Sequence, residues 1–326
     1  MSSLREIKDR IGSVRSTLKI TNAMKLVSSA KLRKAQQAIE ALRPYEATLS
    51  GILADAQREV PCHNRAKTSD PPGKNAGGPS KSAENVRASG RVAVVTVASN
   101  SSLCGSFNGN VLRKTLEVLR GASLVDVYPI GRRIADPLRK SGYPAADGML
   151  PSGIDLNELA AHPSYEAAAE LAQSLADAYA AGVYTKVILI YNHFVSSSRQ
   201  DVVCETYLPF DMRGCARKGA KTCTTPEKEE GLCTKKGENV HDPKDYILEP
   251  SAADITKTLL PQVMRLKIYA MLLDSAAAEH AARMIAMQTA TDNAQDILDE
   301  LTLEYNKGRQ QQITAEILDI VGGSQQ

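Results

Sequence analysis

Residues 259–320 read LLPQVMRLKIYAMLLDSAAAEHAARMIAMQTATDNAQDILDELTLEYNKGRQQQITAEILDI. Steps of four and three from Leu259 land on Val263, Leu266, Ala270, Leu273, Ala277, His280, Met284, Met287, Thr291, Ala294, Leu298, Leu301 and Tyr305. That spacing is the seam of a helix packed against another helix. The helical pattern runs on through Ile313, Ile317 and Ile320 to Gly322 and Gly323. Ser251, after Pro250, is a plausible N-cap, and Pro261 should bend the first turns. At about 1.5 Å per residue such a helix is a rod of about 100 Å, too long to pack on the sheet of a compact domain. Its seam is often Ala, which allows a partner helix to come close.

The partner is at the other end of the chain. Leu4, Ile7, Ile11, Val14 and Leu18 repeat the seam, in a segment helical in composition from Ser3 to about Arg58. Beyond Leu18 the strict repeat would bury Thr21, Lys25 and Ser28, whereas the apolar stripe moves to Ile20, Met24 and Val27, so a stutter is expected there. Pro44 should kink or break this helix. Residues 1–43 hold ten Lys and Arg against Glu6, Asp9 and Glu40; residues 274–326 hold nine acids against Arg283, Lys307 and Arg309. Two long helices of opposite charge at the two termini should pair as an antiparallel coiled coil.

Between them lie two unlike stretches. Val92–Val97, Leu124–Tyr128 and Lys186–Tyr191 read as strands, alternating with helices at about 108–120 and 164–181, which gives an α/β domain with a mainly parallel, Rossmann-like sheet. Residues 61–90 have almost no large apolar side chains and read as a flexible loop. The expected organisation is therefore a shaft helix at 1–60, a loop at 61–90, an α/β foot at 91–210, a Cys-containing insertion and return strand at 211–250, and a second shaft helix at 251–326. Composition agrees: the chain has no Trp, 3 Phe and 11 Tyr among 326 residues, with 43% hydrophobic residues, which favours helix-on-helix burial over a large aromatic core. No apolar run is long enough to span a bilayer and the first residues lack a secretory h-region, so a cytoplasmic chain with free thiols is expected.

Few signals carry chemistry. The turn Ser99–Gly109 precedes a helix and is rich in Gly and Ser, but it matches neither a dinucleotide fingerprint nor a phosphate loop, and reads as a tight structural turn rather than a nucleotide site. Cys104 has no partnering His and reads as a small buried residue; His280, on the seam, reads as a hydrogen-bonded packing residue. Cys204, Cys215, Cys223 and Cys233 lack zinc-knuckle spacing. A redox pair, a metal site and ordinary thiols stay open for them. The basic N-terminal helix lacks aromatics before Tyr45 and carries an apolar stripe, so it is expected to face protein, not nucleic acid.

Two stretches bear a close resemblance to one family. IGSVRSTLKITNAMKLVSSAKLR at 11–33 is similar to the "kIT-AMk-V-a-Klr" run of the gamma subunit of the rotary, F-type ATP synthase. EHAARMIAMQTATDNA at 279–294 and NKGRQQQITAEILDIVGG at 306–323 resemble its C-terminal helix, with LCGSFN at 103–108 and DYILEP at 245–250 in support. Residues 61–90 and 211–244 depart from it. The resemblance implies a non-catalytic rotor shaft, entering a head of alpha and beta subunits, with a foot against the epsilon subunit and the c-ring of the membrane sector. It implies contacts to beta at Met24, Lys25, Arg283, Arg309, Gln310, Thr314 and Glu316, and an apolar tip at Ile313, Ile317, Ile320 and Val321. Tyr246 and Glu249 match foot residues near epsilon and the c-ring. No cofactor is expected on this chain; ATP, ADP, phosphate and Mg belong to other subunits. The expected place is peripheral, on the cytoplasmic face of a bacterial inner membrane, without membrane insertion. The alternatives are a nucleotide-dependent α/β enzyme, which lacks its phosphate loop, and a coiled-coil adapter, which leaves the 279–323 sequence unexplained.

Overall fold

The computed structural model describes residues 4–59, 90–121, 124–145, 155–210, 249 and 251–323. Helices α1 (Leu4–Glu59) and α6 (Ala252–Gly323) enclose β1 (Val92–Val97), α2 (Phe107–Arg120), β2 (Val125–Ile130), α3 (Arg132–Lys140), α4 (Leu156–Ala161), α5 (Tyr165–Ala180), β3 (Lys186–Phe194) and β4 (Gln200–Leu208) in chain order. At about 1.5 Å per residue, the 56 residues of α1 and 72 of α6 span about 84 and 108 Å. Ser251 caps α6 as expected, its hydroxyl accepting from the Asp254 N–H (3.2 Å) and donating to the Asp254 carboxylate (2.8 Å).

The two helices are antiparallel: Thr21 meets Thr291 with 3.0 Å between hydroxyls, and Leu4 lies against Gly308. The expected stutter does not occur. Thr21 (9% exposed) and Ser28 (3%) are buried in an unbroken heptad with Ile7, Leu32 and Ile39, while Ile20, Met24 and Val27 face outward. The seam tolerates its hydroxyls because each is satisfied on its own helix: Thr21 donates to the Leu18 carbonyl (3.1 Å), Ser28 to that of Met24 (2.8 Å), and Thr291 to that of Met287 (2.8 Å). Nor does Pro44 break α1, which continues to Glu59. Packing of Ile39, Leu42 and Ala38 against Leu273, Ala277 and Ala281 of α6 holds the helix together across the lost backbone bond. Likewise α6 runs on through Pro261.

The sheet order is β2-β1-β3-β4, with β1 parallel to both neighbours and β4 antiparallel to β3. The sheet is mainly parallel, as expected, with one antiparallel edge strand. Strand β4 escaped the sequence reading because it is an edge strand with little buried surface until Tyr207 and Leu208. Helices α2 and α3 cover one face through Val111, Leu119, Ile134 and Leu138, and α5 and α6 cover the other through Leu171, Leu175, Ile268 and Leu272. The apolar run of β1 is buried on both sides, as a central parallel strand requires. Shaft and foot thus share one core, because the lower part of α6 is also a layer of the α/β domain. Of the predicted loop at 61–90, residues 61–89 lie outside the described residues, as do 211–248 and 250 of the predicted insertion and return strand at 211–250.

Candidate functional site

The foot is fastened to the shaft by polar groups that, His193 apart, are mostly shut off from water. Asp274 of α6 accepts from the Phe194 N–H (3.2 Å) and pairs with His193 Nδ1. Lower down, Lys267 approaches Glu205 (3.7 Å), with both side chains about 15% exposed or less, and its ammonium lies over the Phe210 ring. Tyr191 donates to Glu205 (3.4 Å), and burial with nearby carboxylates pushes its phenol well above its ordinary range. The buried Tyr207 hydroxyl donates to the Met264 carbonyl (3.1 Å). Directional bonds in a low-dielectric joint resist sliding in a way that apolar contact alone does not. None of these residues was singled out from sequence, since each is an isolated polar residue in an apolar run.

Above the joint, the Ser99–Gly105 loop closes on the shaft. Arg283, with 14% of its side chain exposed, donates to Ser101 Oγ (2.6 Å) and pairs with Glu279 (2.7 Å). Burial pushes the Glu279 carboxyl up from its ordinary value, against the pull of Arg283 and Lys31. Asn108 Oδ1 accepts from the Ser99 N–H (3.1 Å), and its amide donates to the buried Cys104 sulfur. Cys104 and Phe107 pack on Ala278. The inner side of the turn is thus packed on the shaft, while Ser101–Leu103, Gly105 and Ser106 are exposed. Leu103 holds φ +70° and stands exposed.

His280 corrects one expectation. It lies beside the seam, but its Nδ1 is buried without a hydrogen-bond partner, and burial, with Arg283 and Lys31 nearby, pushes its pKa down to about 4. Cys204 is exposed on β4, yet desolvation raises its thiol, the opposite of what a reactive thiolate needs. Cys215, Cys223, Cys233 and Tyr246 lie outside the described residues; Glu249 is exposed. Among the described residues no group of three or more His, Cys, Asp or Glu could hold a metal ion, and no helix is long and apolar enough to cross a membrane.

Of the contacts expected on the shaft, Arg283 is turned instead onto Ser101 and Glu279 of this chain; the others fall into two groups. Met24 is 39% exposed and Lys25 half-buried at mid-shaft. Beyond Gly308, α6 outruns the start of α1 and projects with Arg309, Gln310, Thr314 and Glu316 all exposed. Thr314 bonds the Gln310 carbonyl and Glu316 accepts from Gln312. Ile313, Ile317 and Ile320 are 46, 55 and 72% exposed; the Val321 side chain lies outside the described residues. An apolar helix tip exposed among the described residues, beyond the point where Leu4 meets Gly308, needs a sleeve from elsewhere.

Residues 3–325 match the family model described as ATP synthase. The ATP synthase gamma chain of Phocaeicola vulgatus is 43% identical, with 99% of each chain covered, and that of Bacteroides thetaiotaomicron is 41% identical over the full length of both. The fold resembles a chain of the Euglena gracilis mitochondrial ATP synthase OSCP/F1/c-ring assembly, with a TM-score of 0.56 at 16% identity, covering 98% of this chain and 92% of that one.

Proposed function

We propose, for a chain that belongs to the ATP synthase gamma chain family, that it works as the central rotor shaft, carrying rotation of the membrane c-ring to the beta subunits of the catalytic head. The observation that carries this reading is the tip: a helix with Ile313, Ile317 and Ile320 exposed among the described residues, on a rod fused into a foot domain by buried polar bonds. Torque applied at the foot reaches the tip only if the joint at Asp274, Lys267 and Arg283 does not slip. Apolar tip contacts are non-directional, so they give little resistance to turning. Polar contacts from Arg309, Gln310 and Thr314 are made and broken each turn, and their register is what an asymmetric shaft imposes on three like neighbours. Holding three beta subunits in different conformations is a coupling free energy: each tenfold change in nucleotide affinity corresponds to about 1.4 kcal/mol.

In this reading the chain carries no catalytic group or cofactor, and the head's other subunits bind the nucleotide, phosphate and Mg. The foot, through Glu249 and Tyr246, meets epsilon and the c-ring, and the chain is peripheral on the cytoplasmic side of the inner membrane. The test is ATPase turnover of the matching alpha and beta subunits with and without the purified chain. Strong activation, lost on deleting residues 306–326 and weakened by Arg309→Ala, is the expected result. No complex and no activation would return the chain to a coiled-coil adapter.

A further inference from the structure

The foot grips α6 through a ladder of polar contacts, and one rung carries a charge that pH can change. At the bottom the Tyr207 hydroxyl donates to the Met264 carbonyl, and next Glu205 approaches Lys267. Two turns further along α6, Asp274 accepts the Phe194 N–H on one oxygen and meets His193 Nδ1 with the other. The lower charged rung takes its cation from a lysine. The upper one takes it from a histidine, whose ordinary titration lies at about pH 6.5. The two partners differ in access to water: the His193 side chain is 43% exposed and that of Asp274 12%. With Nδ1–H held by Asp274, Nε2 is where a second proton arrives and leaves. In the strand pairing His193 stands opposite Asp201, and alternation along β4 puts Asp201 on the side of Val203 and Glu205, the side that faces α6.

Charges reach this place from three elements. Strand β4 supplies Asp201, bound by Arg199 at 3.0 Å, and Glu205. Helix α6 supplies Asp274, with Lys267 below it and, above it, Glu279 and Arg283 bound to each other. Helix α1 supplies Glu46, whose charge, with those of Glu205 and Asp274, helps to hold up the Tyr191 phenol two residues away, and Lys31, which acts higher up on Glu279. Helix α5 meets this face through apolar side chains such as Leu171 and Leu175, and the turn before α2 packs Cys104 and Phe107 beside Phe194. The charges nearest the imidazole, Asp274 in contact and Asp201 across the strand pair, are both negative and favour a proton on it. We infer that His193 and Asp274 form an acid-tightened clip between foot and shaft: a proton on the imidazole turns the upper rung into an ion pair, and its loss leaves a neutral hydrogen bond. The clip itself does not depend on the shaft reading; on that reading it firms the grip of the foot on α6 as the surroundings acidify.

The test follows the histidine ring signals of the full chain by NMR as the pH is varied, with His193 assigned by its loss in H193Q. Wild-type His193 should hold its proton to a pH about one higher than an ordinary histidine. In D274N, whose amide oxygen can still accept from Phe194, it should return toward the ordinary value. Melting temperatures give the second readout. A group that holds its proton more firmly when folded adds stability in acid, and that stability is lost as the pH rises through its own titration. Wild type should therefore melt about 2–4 °C above H193Q below pH 6, with the gap closing in alkali. H193K carries its cation throughout and should keep its margin over H193Q at all these pH values. His280 is common to these chains, so its own response to acid cancels in the comparison. A His193 that titrates alike in wild type and D274N, or a gap between wild type and H193Q that does not change with pH, overturns the inference. Neither result touches the shaft reading, since no other subunit enters the measurement.

Discussion

The foot and the shaft treat apolar side chains in opposite ways. In the foot, Val95, Ile130, Leu138, Leu171 and Leu189 have no exposed surface, and the core is closed by helices on both faces of the sheet. In the shaft, Ile20 (59% exposed), Leu26 (64%), Val27 (57%) and Ile320 (72%) face outward, while Thr21 and Ser28 occupy the interior. The described part of the foot keeps a closed core of its own. The shaft is built for surroundings that the isolated chain lacks, and its seam is only strong enough to keep two helices together. Substitutions should therefore change stability in the foot, and assembly, far more than stability, in the outer face of the shaft.

The sharpest break of that comparison is Leu171→Ala, which empties a fully buried site between α5, the sheet and α6. It should lower stability by about 3 kcal/mol, read as the shift of the denaturant midpoint of the purified chain. A loss under about 1 kcal/mol would mean that the foot core is loosely packed and the contrast is false. Next comes acidification at His280. Its folded pKa is about 4, below the ordinary value of about 6.5, so between those values the unfolded chain takes up a proton that the folded chain refuses. Stability is full above pH 6.5 and falls as the pH drops toward 4. Discounted for its partial exposure, this imidazole accounts for about 1 to 2 kcal/mol at the acid end. The melting temperatures of wild type and His280→Gln, compared from pH 8 to 4.5, should diverge only below about 6.5. Parallel curves would show that His280 is hydrated or free to swing out.

Much of this was legible in the residues. The 4-3 spacing from Leu259 gave α6, the matching repeat from Leu4 gave α1, and the apolar runs at Val92 and Lys186 gave two central strands, since long periodic or continuous patterns dominate local preference. What failed did so for local reasons. Ile20, Met24 and Val27 mimic a displaced seam, because apolar spacing does not tell an outward stripe from an inward one. Pro44 does not break α1, because the packing around it holds the helix. The joint at His193, Asp274, Glu205 and Lys267 unites residues up to 81 apart in the chain, and no spacing rule connects them. Tip and mid-shaft contact residues were found through resemblance; their periodicity alone marks only a helix.

The smallest effects test the shaft from both sides. Filling the seam with Thr21→Val and Ser28→Ala removes two hydroxyls that bond only their own helices and Thr291. It should raise stability by about 1 kcal/mol, since buried hydroxyls gain little when apolar groups replace them. A loss instead would mean that the Thr21–Thr291 bond sets the register of the pair. The outer face should be nearly silent: Ile20→Ser with Val27→Ser removes two side chains that are more than half exposed, so the free chain should change by less than about 0.5 kcal/mol. Set beside alpha and beta subunits, the same variant should assemble more weakly than wild type, because both side chains would lose an apolar neighbour. Unchanged stability with weakened assembly is the pattern of a surface whose burial lies in another chain. Lost stability in the free chain would instead make Ile20 and Val27 part of its own core, contrary to the unbroken heptad through Thr21 and Ser28.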